Sequence, residues 1–107
     1  MLLIKKCYFD AIRSGRKTTT LRYWLRPRVK AGSLHRVRGL GRIQVQSVEA
    51  VDPASLRLAD AHADGFPDLP SLWQTLERLY PPAARKNRVL YLVRFAMVES
   101  QGQSPTA

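Results

Sequence analysis

The chain has 107 residues, enough for one domain with its own core, and its single cysteine, Cys7, excludes an internal disulfide or a multi-cysteine metal site. Apolar residues make up 45% and charged residues 24%, which is ordinary for a globular protein and argues against disorder. No apolar run reaches the roughly 20 residues of a membrane span, and no secretory leader is evident. We therefore expect a soluble, cytoplasmic protein without membrane contact, metal or cofactor, a monomer by default, with Cys7 as a buried thiol.

The positive charge is concentrated at the N-terminal end. Of the 18 Lys and Arg residues, 12 lie within residues 1–42, where Asp10 is the only acid. This part therefore has a net charge of +11, whereas the whole chain has a net charge of +10. The remainder carries −1. Such a field attracts polyanions, so the expected partner is RNA, a nucleoside or a nucleotide. A solvated basic surface is the alternative.

The N-terminal third begins with an apolar segment, residues 1–4, that predicts a short strand. Helical spacing then predicts a helix over residues 6–14, ended by Gly15, which can take the left-handed backbone that turns a chain. Three successive threonines, residues 18–20, favour an extended segment directly after the turn. The order helix, glycine turn, strand presents Lys17 and Thr20 to a ligand.

An irregular basic segment follows. Trp24 precedes Arg26 and Arg28, with Pro27 between the two arginines. Aromatic rings beside cations can stack on unpaired bases and hold phosphates, although core packing is the commoner role of a single tryptophan.

The middle of the chain predicts two strands, residues 34–38 and 42–51, separated by a glycine turn. The alternation of apolar and polar residues changes register at Ser47, which indicates a β-bulge. Asp52 and Pro53 then form a strong helix start, and we expect a short helix through about residue 61.

A loop over residues 62–67 leads to a second helix that begins at Asp68 and has an apolar stripe including Trp73. Pro81 and Pro82 end it. Residues 89–98 are apolar on both faces apart from Arg94, which predicts a central strand covered on both sides. The polar tail, residues 100–107, is expected to be disordered, which leaves one domain over residues 1–99.

This mixture of short strands and inserted helices predicts an α+β fold, with a small curled sheet or barrel and helices on one side. Three segments carry a resemblance to a known family. Residues 15–22 resemble the Gly-x-Lys-x-x-x-x-Arg signature of the ASCH domain, a compact β-barrel related to the PUA-like RNA-binding folds. Residues 30–33 resemble its Lys-x-Gly-Asp turn, and residues 61–66 resemble its acidic Asp-Gly-Phe segment. The resemblance extends to about Val98.

The resemblance implies two kinds of function. Many ASCH domains are inferred to bind RNA beside the barrel, some with reported nuclease activity, and one branch hydrolyses the acetyl amide of acetylcytidine with a lysine, a threonine and a glutamate. Carried over by motif, the catalytic residues would be Lys17, Thr20 and Asp64. Where that branch has glutamate, this chain has an aspartate, one methylene shorter, and the match requires a one-residue gap.

The charge distribution and the resemblance together lead to three hypotheses of function. The first is an RNA- or nucleotide-binding module whose basic cleft contains Arg16, Lys17, Arg22, Trp24, Arg26 and Arg28. The second is a cofactor-independent amidohydrolase acting on acetylated cytidine or a related nucleoside. The third is a structural or protein-interaction module, which has only the basic surface and the apolar helix stripe in its favour.

Overall fold

Four strands form one antiparallel sheet in the computed structural model, which describes residues 2–100 and, of residues 99 and 100, the backbone alone. The strands are β1 (Thr19–Trp24), β2 (Leu34–Val37), β3 (Gly41–Ala50) and β4 (Val89–Ser100). Their order across the sheet is β1-β4-β3-β2. The sheet is curled into a half-barrel, so the predicted α+β class is confirmed, and β1 is left as an edge strand.

The helices are short, except for one. They are α1 (Phe9–Arg13), α2 (Leu58–Ala63), α3 (Leu69–Leu79) and α4 (Pro82–Arg85), with 3-10 turns at Lys6–Tyr8 and Pro53–Ser55. Asp68 caps α3 by accepting a hydrogen bond from the Ser71 amide at 2.8 Å, as the sequence predicts. Among residues 2–100, no helix combines the length and the apolar composition needed to cross a membrane.

The core lies on both faces of β4. One cluster joins α1 to the sheet through residues that include Phe9, Val93 and Phe95. The other packs α3 on the opposite face and includes Leu76 and Leu92. The prediction of a central, doubly covered last strand is confirmed, because β4 pairs with β1 on one side and with β3 on the other. The predicted bulge is also confirmed, since the β3–β4 register shifts between Val45 and Ser47.

Three local predictions were wrong. Residues 2–4 form no strand, because this segment is held by the burial of Leu2 (2% exposed) and by a hydrogen bond to its backbone rather than by a ladder. The helix expected from Asp52 to residue 61 is interrupted at Leu56, which is extended (φ −67°, ψ 138°) and buries its side chain. Cys7 is exposed, because it lies in a 3-10 turn that has no buried residue.

The disordered tail was predicted over residues 100–107, which is wrong for Ser100, because that residue belongs to β4; residues 101–107 lie outside the described residues.

Candidate ligand-binding site

Lys17 and Asp64 form a buried ion pair, although they are 47 positions apart. The Lys17 ammonium donates to the Asp64 carboxylate Oδ1, and also to the Asp64 backbone carbonyl at 2.9 Å. The two side chains are 5% and 6% exposed. The Lys17 Nζ also lies 4.9 Å from the centre of the Tyr8 ring, a cation–π contact that occupies its remaining side.

Backbone hydrogen bonds fix the segment that carries Lys17. Gly15 has φ +80°, the left-handed conformation that the sequence predicted for it, and the chain then turns back so that the Lys17 amide donates to the Ala11 carbonyl at 3.0 Å. The Thr18 amide donates to the Ala63 carbonyl at 2.7 Å. The last residues of α2 and the lysine segment are therefore joined directly, which brings Asp64, the C-cap of α2, to Lys17.

The ion pair lies in the wall of a cavity of about 420 Å³. One side is the N-terminal segment with Tyr8, another is β1, a third is the loop with Asp64 and Phe66, and the last is α3, which contributes Thr75. Tyr80, at the end of α3, completes the wall and is held there by an edge-on contact with the Tyr23 ring, with centroids 5.3 Å apart. The cavity is thus mainly apolar and aromatic, with a few polar groups on one side.

The three successive threonines, residues 18–20, have different surroundings. Thr18 is exposed, and Thr19 is 1% exposed, with a hydroxyl that has no hydrogen-bond partner among the described residues. Thr20 lines the cavity, and its hydroxyl accepts a hydrogen bond from Arg22 Nε at 3.0 Å. The same guanidinium donates through its second nitrogen to the Leu3 carbonyl, so Arg22 ties β1 to the N-terminal wall.

Burial determines the electrostatics of the site. Desolvation lowers the pKa of Lys17 and raises the pKa of Asp64, while the attraction between the two charges acts in the opposite direction for each. Desolvation likewise raises the pKa of Tyr8 and lowers that of Arg22. The difference in pKa between Lys17 and Asp64 is therefore smaller than it would be in water.

The unpaired edge of β1 adjoins the cavity, which is lined in part by residues 20–22. The Phe95 amide donates to the Thr18 carbonyl at 3.0 Å, so residues 18 and 95 lie at a hydrogen-bonded position of the antiparallel ladder. Because hydrogen-bonded positions alternate along the strand, Thr20 and Arg22 also direct their backbone N–H and C=O groups to β4, and Leu21 directs its own away from β4. Leu21 is one of the residues that line the cavity, and its backbone donor and acceptor are left unpaired by β4.

The other residues predicted for the basic cleft lie elsewhere. Arg16 is exposed and donates to the Ser14 hydroxyl at 3.0 Å. Arg26 and Arg28 line a second cavity. Trp24 is only 8% exposed and packs in the core, with its ring 5.9 Å from that of Tyr91, so it lacks the open ring face that base stacking requires.

Several lining residues were missed in the sequence. Tyr8 lies within the predicted helix over residues 6–14 and Phe66 ends the motif over residues 61–66, and both residues line the cavity. A signal was present for Phe66, because it follows directly on Asp64 and Gly65. None was available for the Leu21 backbone, since strand pairing alone decides which residues face an open edge.

No protein-family model matches the sequence, and a search of curated proteins finds no match. Solved structures do match. Hypothetical protein PH0355 aligns over 88% of this chain and 94% of its own length with a TM-score of 0.72 and 15% identity. An ASCH domain from Lactobacillus crispatus JV V101 aligns over 87% of this chain and 71% of its own, with a TM-score of 0.68 and 18% identity. This chain has the ASCH-domain fold. Protein EF3133 from Enterococcus faecalis V583, described by the family model DUF984, shares that fold over 94% of this chain and 76% of its own, with a TM-score of 0.68 and 18% identity.

Within the ASCH fold, two of the three resembling segments meet at the cavity. Residues 15–22 supply Lys17 and Thr20, and residues 61–66 supply Asp64 and Phe66. The third segment lies apart, where Gly32 (φ +88°) donates to the Val45 carbonyl at 2.7 Å and turns the chain into β2.

Proposed function

We propose that the cavity between β1 and α3 binds one nucleoside unit, supplied by single-stranded RNA or by a free nucleotide. The observation that carries this proposal is the Lys17–Asp64 pair, which is buried in the wall of a cavity lined by aromatic rings. A buried ion pair is expensive to maintain, and at the edge of a pocket it is better suited to a ligand than to stability.

The size and lining of the cavity fit a base. At about 420 Å³ it lies within the range of small-molecule pockets. Phe66 and the face of Tyr8 that Lys17 does not cover are flat aromatic surfaces of this lining, and base–aromatic contacts contribute about 1–3 kcal/mol each to binding. A base also has hydrogen-bond donors and acceptors along one edge, and the Leu21 amide and carbonyl supply a complementary pair of groups.

The charge distribution favours RNA over a neutral ligand. Residues 1–42 carry a net charge of +11, and Lys5 and Arg22 from this part line the same cavity. A polyanion would gain from this field over its whole length, and its affinity would fall steeply with salt through counterion release.

A pocket-filling variant tests the proposal without removing charge. Thr75→Phe places a ring in the cavity from α3, and Gln74→Phe places the same ring on the exposed face one position away. At low salt, we expect Thr75→Phe to weaken single-stranded RNA binding by about tenfold or more and Gln74→Phe to change it less than about twofold, measured by fluorescence anisotropy. The combined Lys17→Ala and Arg22→Ala variant should also lose binding. If wild type does not bind at low salt, or Thr75→Phe binds as well as wild type, the proposal fails.

A second candidate function is hydrolysis of an acetylated nucleoside, favoured by the presence of Lys17, Thr20 and Asp64 in one cavity. Transfer of the Lys17 proton to Asp64 would give a neutral amine and a carboxylic acid, which the opposed pKa directions make easier. Lys17 would take the Thr20 proton as the hydroxyl oxygen attacks the acetyl carbonyl, and Asp64 would protonate the departing amine. Water would then cleave the acetyl ester with the same two groups, releasing acetate and regenerating Thr20.

This reaction requires a rearrangement, because Lys17 bonds to Asp64 and the Thr20 hydroxyl accepts from Arg22 rather than donating to Lys17. Incubation with acetylcytidine, followed by chromatography for cytidine, tests it directly. Turnover should disappear in Thr20→Val and persist in Thr18→Val, which removes the exposed hydroxyl two positions away. Absence of turnover in wild type, or turnover that survives Thr20→Val, rejects catalysis.

A further inference from the structure

A second cavity adjoins the first and is lined by arginines. It has a volume of about 570 Å³, and its lining includes Arg26, Arg28 and Arg88 together with the exposed Leu3 and Leu25. Leu3 lines both cavities, so the two adjoin at this residue.

Strand pairing brings these arginines together. Trp24, the last residue of β1, pairs with Val89, the first residue of β4, so the chain leaves β1 beside the point where Arg88 precedes β4. Residues 25–28 are exposed but anchored at both ends by the buried Trp24 and Val29. On the other side, Asn87 adopts a left-handed backbone (φ 61°), and the Arg88 amide donates to the Arg85 carbonyl at 2.9 Å. Buried residues therefore hold the segment that carries Arg26 and Arg28, and a backbone hydrogen bond holds the segment that carries Arg88.

Among the described residues, the three guanidinium groups have no acidic partner. Within the described part of the chain, the ion pairs are Arg13–Asp10 and Lys17–Asp64, and no carboxylate pairs with any arginine of this cavity. Gathering cations beside apolar Leu3 and Leu25 raises their mutual repulsion, and a bound anion relieves it. The guanidinium fork matches the oxygen atoms of a phosphate, with two parallel hydrogen bonds.

We propose that Arg26, Arg28 and Arg88 form a phosphate subsite for a ligand whose base occupies the neighbouring cavity. This inference rests on the proposed function and narrows it, because the preferred ligand becomes a nucleotide or a strand of RNA rather than a free nucleoside. Arg22 contributes indirectly, since its hydrogen bond to the Leu3 carbonyl holds the residue that lines both cavities.

The test compares two variants that lose the same charge. Arg26→Gln combined with Arg88→Gln removes two members of the subsite, and Arg36→Gln combined with Arg38→Gln removes two exposed arginines at β2 and the turn after it. Each is titrated by calorimetry with the four nucleosides and their 5′- and 3′-monophosphates, and by anisotropy with eight-nucleotide single-stranded RNA.

We expect the Arg26/Arg88 variant to lose about tenfold in affinity for phosphate-bearing ligands and to keep nucleoside affinity within about twofold, because only the phosphate contacts are removed. The slope of log affinity against log salt for RNA should shrink by about 1.4, which corresponds to two phosphate contacts on a single strand. The Arg36/Arg38 variant should lose less than about twofold.

Equal losses of affinity in the two variants would show that binding depends on the overall positive charge and not on these positions, and would overturn the proposed subsite. If a monophosphate binds more tightly than its nucleoside and Arg26/Arg88 substitution removes that advantage, the phosphate belongs to the bound nucleotide. If only RNA responds to the substitution, the phosphate belongs to a neighbouring nucleotide of the strand, and the subsite stands in that form. If Thr75→Phe leaves all binding unchanged while Arg26/Arg88 substitution still weakens it, the base pocket is rejected and the phosphate subsite is retained.

Discussion

Lys17 donates hydrogen bonds to both the side chain and the backbone carbonyl of Asp64, so one buried ammonium fixes the carboxylate and the end of α2 together. Asp64 is the C-cap of that helix, and its carbonyl is one of those that a helix end leaves without an internal partner. The pair is therefore both a structural link between residues 17 and 64 and the most polar part of the cavity wall.

Removing both members of this pair should destabilise the protein by less than the sum of the two single removals. Lys17→Met removes both hydrogen-bond donors to Asp64, which an uncharged Lys17 amine would keep, and Asp64→Asn leaves a buried ammonium without its counter-charge, so each should lower the free energy of unfolding by about 3 kcal/mol. The double variant should lose clearly less than the sum of the two. Urea unfolding followed by tryptophan fluorescence measures all three. Strictly additive losses would show that the two charges do not interact.

The stability of the protein should depend on pH through Lys17. Its pKa is lowered by burial, so in alkaline solution the folded protein releases this proton before the unfolded chain does. The unfolded state then holds more protons, and the free energy of unfolding rises with pH from the lowered pKa up to the ordinary value of 10.5. Subtracting the curve of Lys17→Met removes groups common to both proteins. A difference that is flat or falls over this window would contradict the prediction.

Gly65 should resist substitution because of its backbone. Its φ is +92°, and an added Cβ would make an ordinary contact with Lys17 Cβ at 3.5 Å, so the strain comes from the left-handed conformation. We expect Gly65→Ala to lower the free energy of unfolding by about 1–2 kcal/mol. Gly15→Ala is the matched control, with φ +80° and no atom near the new Cβ, and it should lose a similar amount. A much larger loss at Gly65 would mean that Lys17 cannot accept the added methyl group.

Arg22 should position the N-terminal wall, and lysine should not replace it. The guanidinium donates from Nε to Thr20 and from a terminal nitrogen to the Leu3 carbonyl, and a single ammonium cannot reproduce that planar fork. In Arg22→Lys, amide hydrogen exchange should accelerate over residues 3–8 and ligand affinity should fall, although the charge is kept. Arg16→Lys, at an exposed site, should change neither. Unchanged exchange in Arg22→Lys would remove this positioning role.

Trp24 should matter for stability rather than for binding. Because it is buried beside Tyr91, Trp24→Phe should lower the free energy of unfolding by about 1–3 kcal/mol and leave RNA affinity within about twofold. Tyr8→Leu, which alters the cavity wall, should instead weaken RNA binding. A large loss of affinity in a folded Trp24→Phe protein would restore the stacking role that the sequence suggested.

The sequence by itself determined much of the fold. The glycine turn at Gly15, the cap at Asp68, the bulge at Ser47 and the doubly covered strand β4 each depend on local backbone preference or on alternation over a few residues. The same kind of pattern drew attention to Lys17 and Thr20, because a glycine turn followed by an extended segment predicts side chains presented to a ligand, although both side chains are buried in the cavity wall. It failed at Leu56, where burial in the core overrides the helix that Asp52 would otherwise continue.

Only the tertiary structure decided which of these residues act together. Packing of β1 against the core buried Trp24, while the α2 end brought Asp64 to Lys17 across 47 positions. Strand pairing placed Arg88 beside Arg26 and turned the Leu21 backbone groups away from β4. Charge counting along the chain indicated a basic half, but distances between side chains depend on how the strands pair, and that pairing is set by the burial of the whole core.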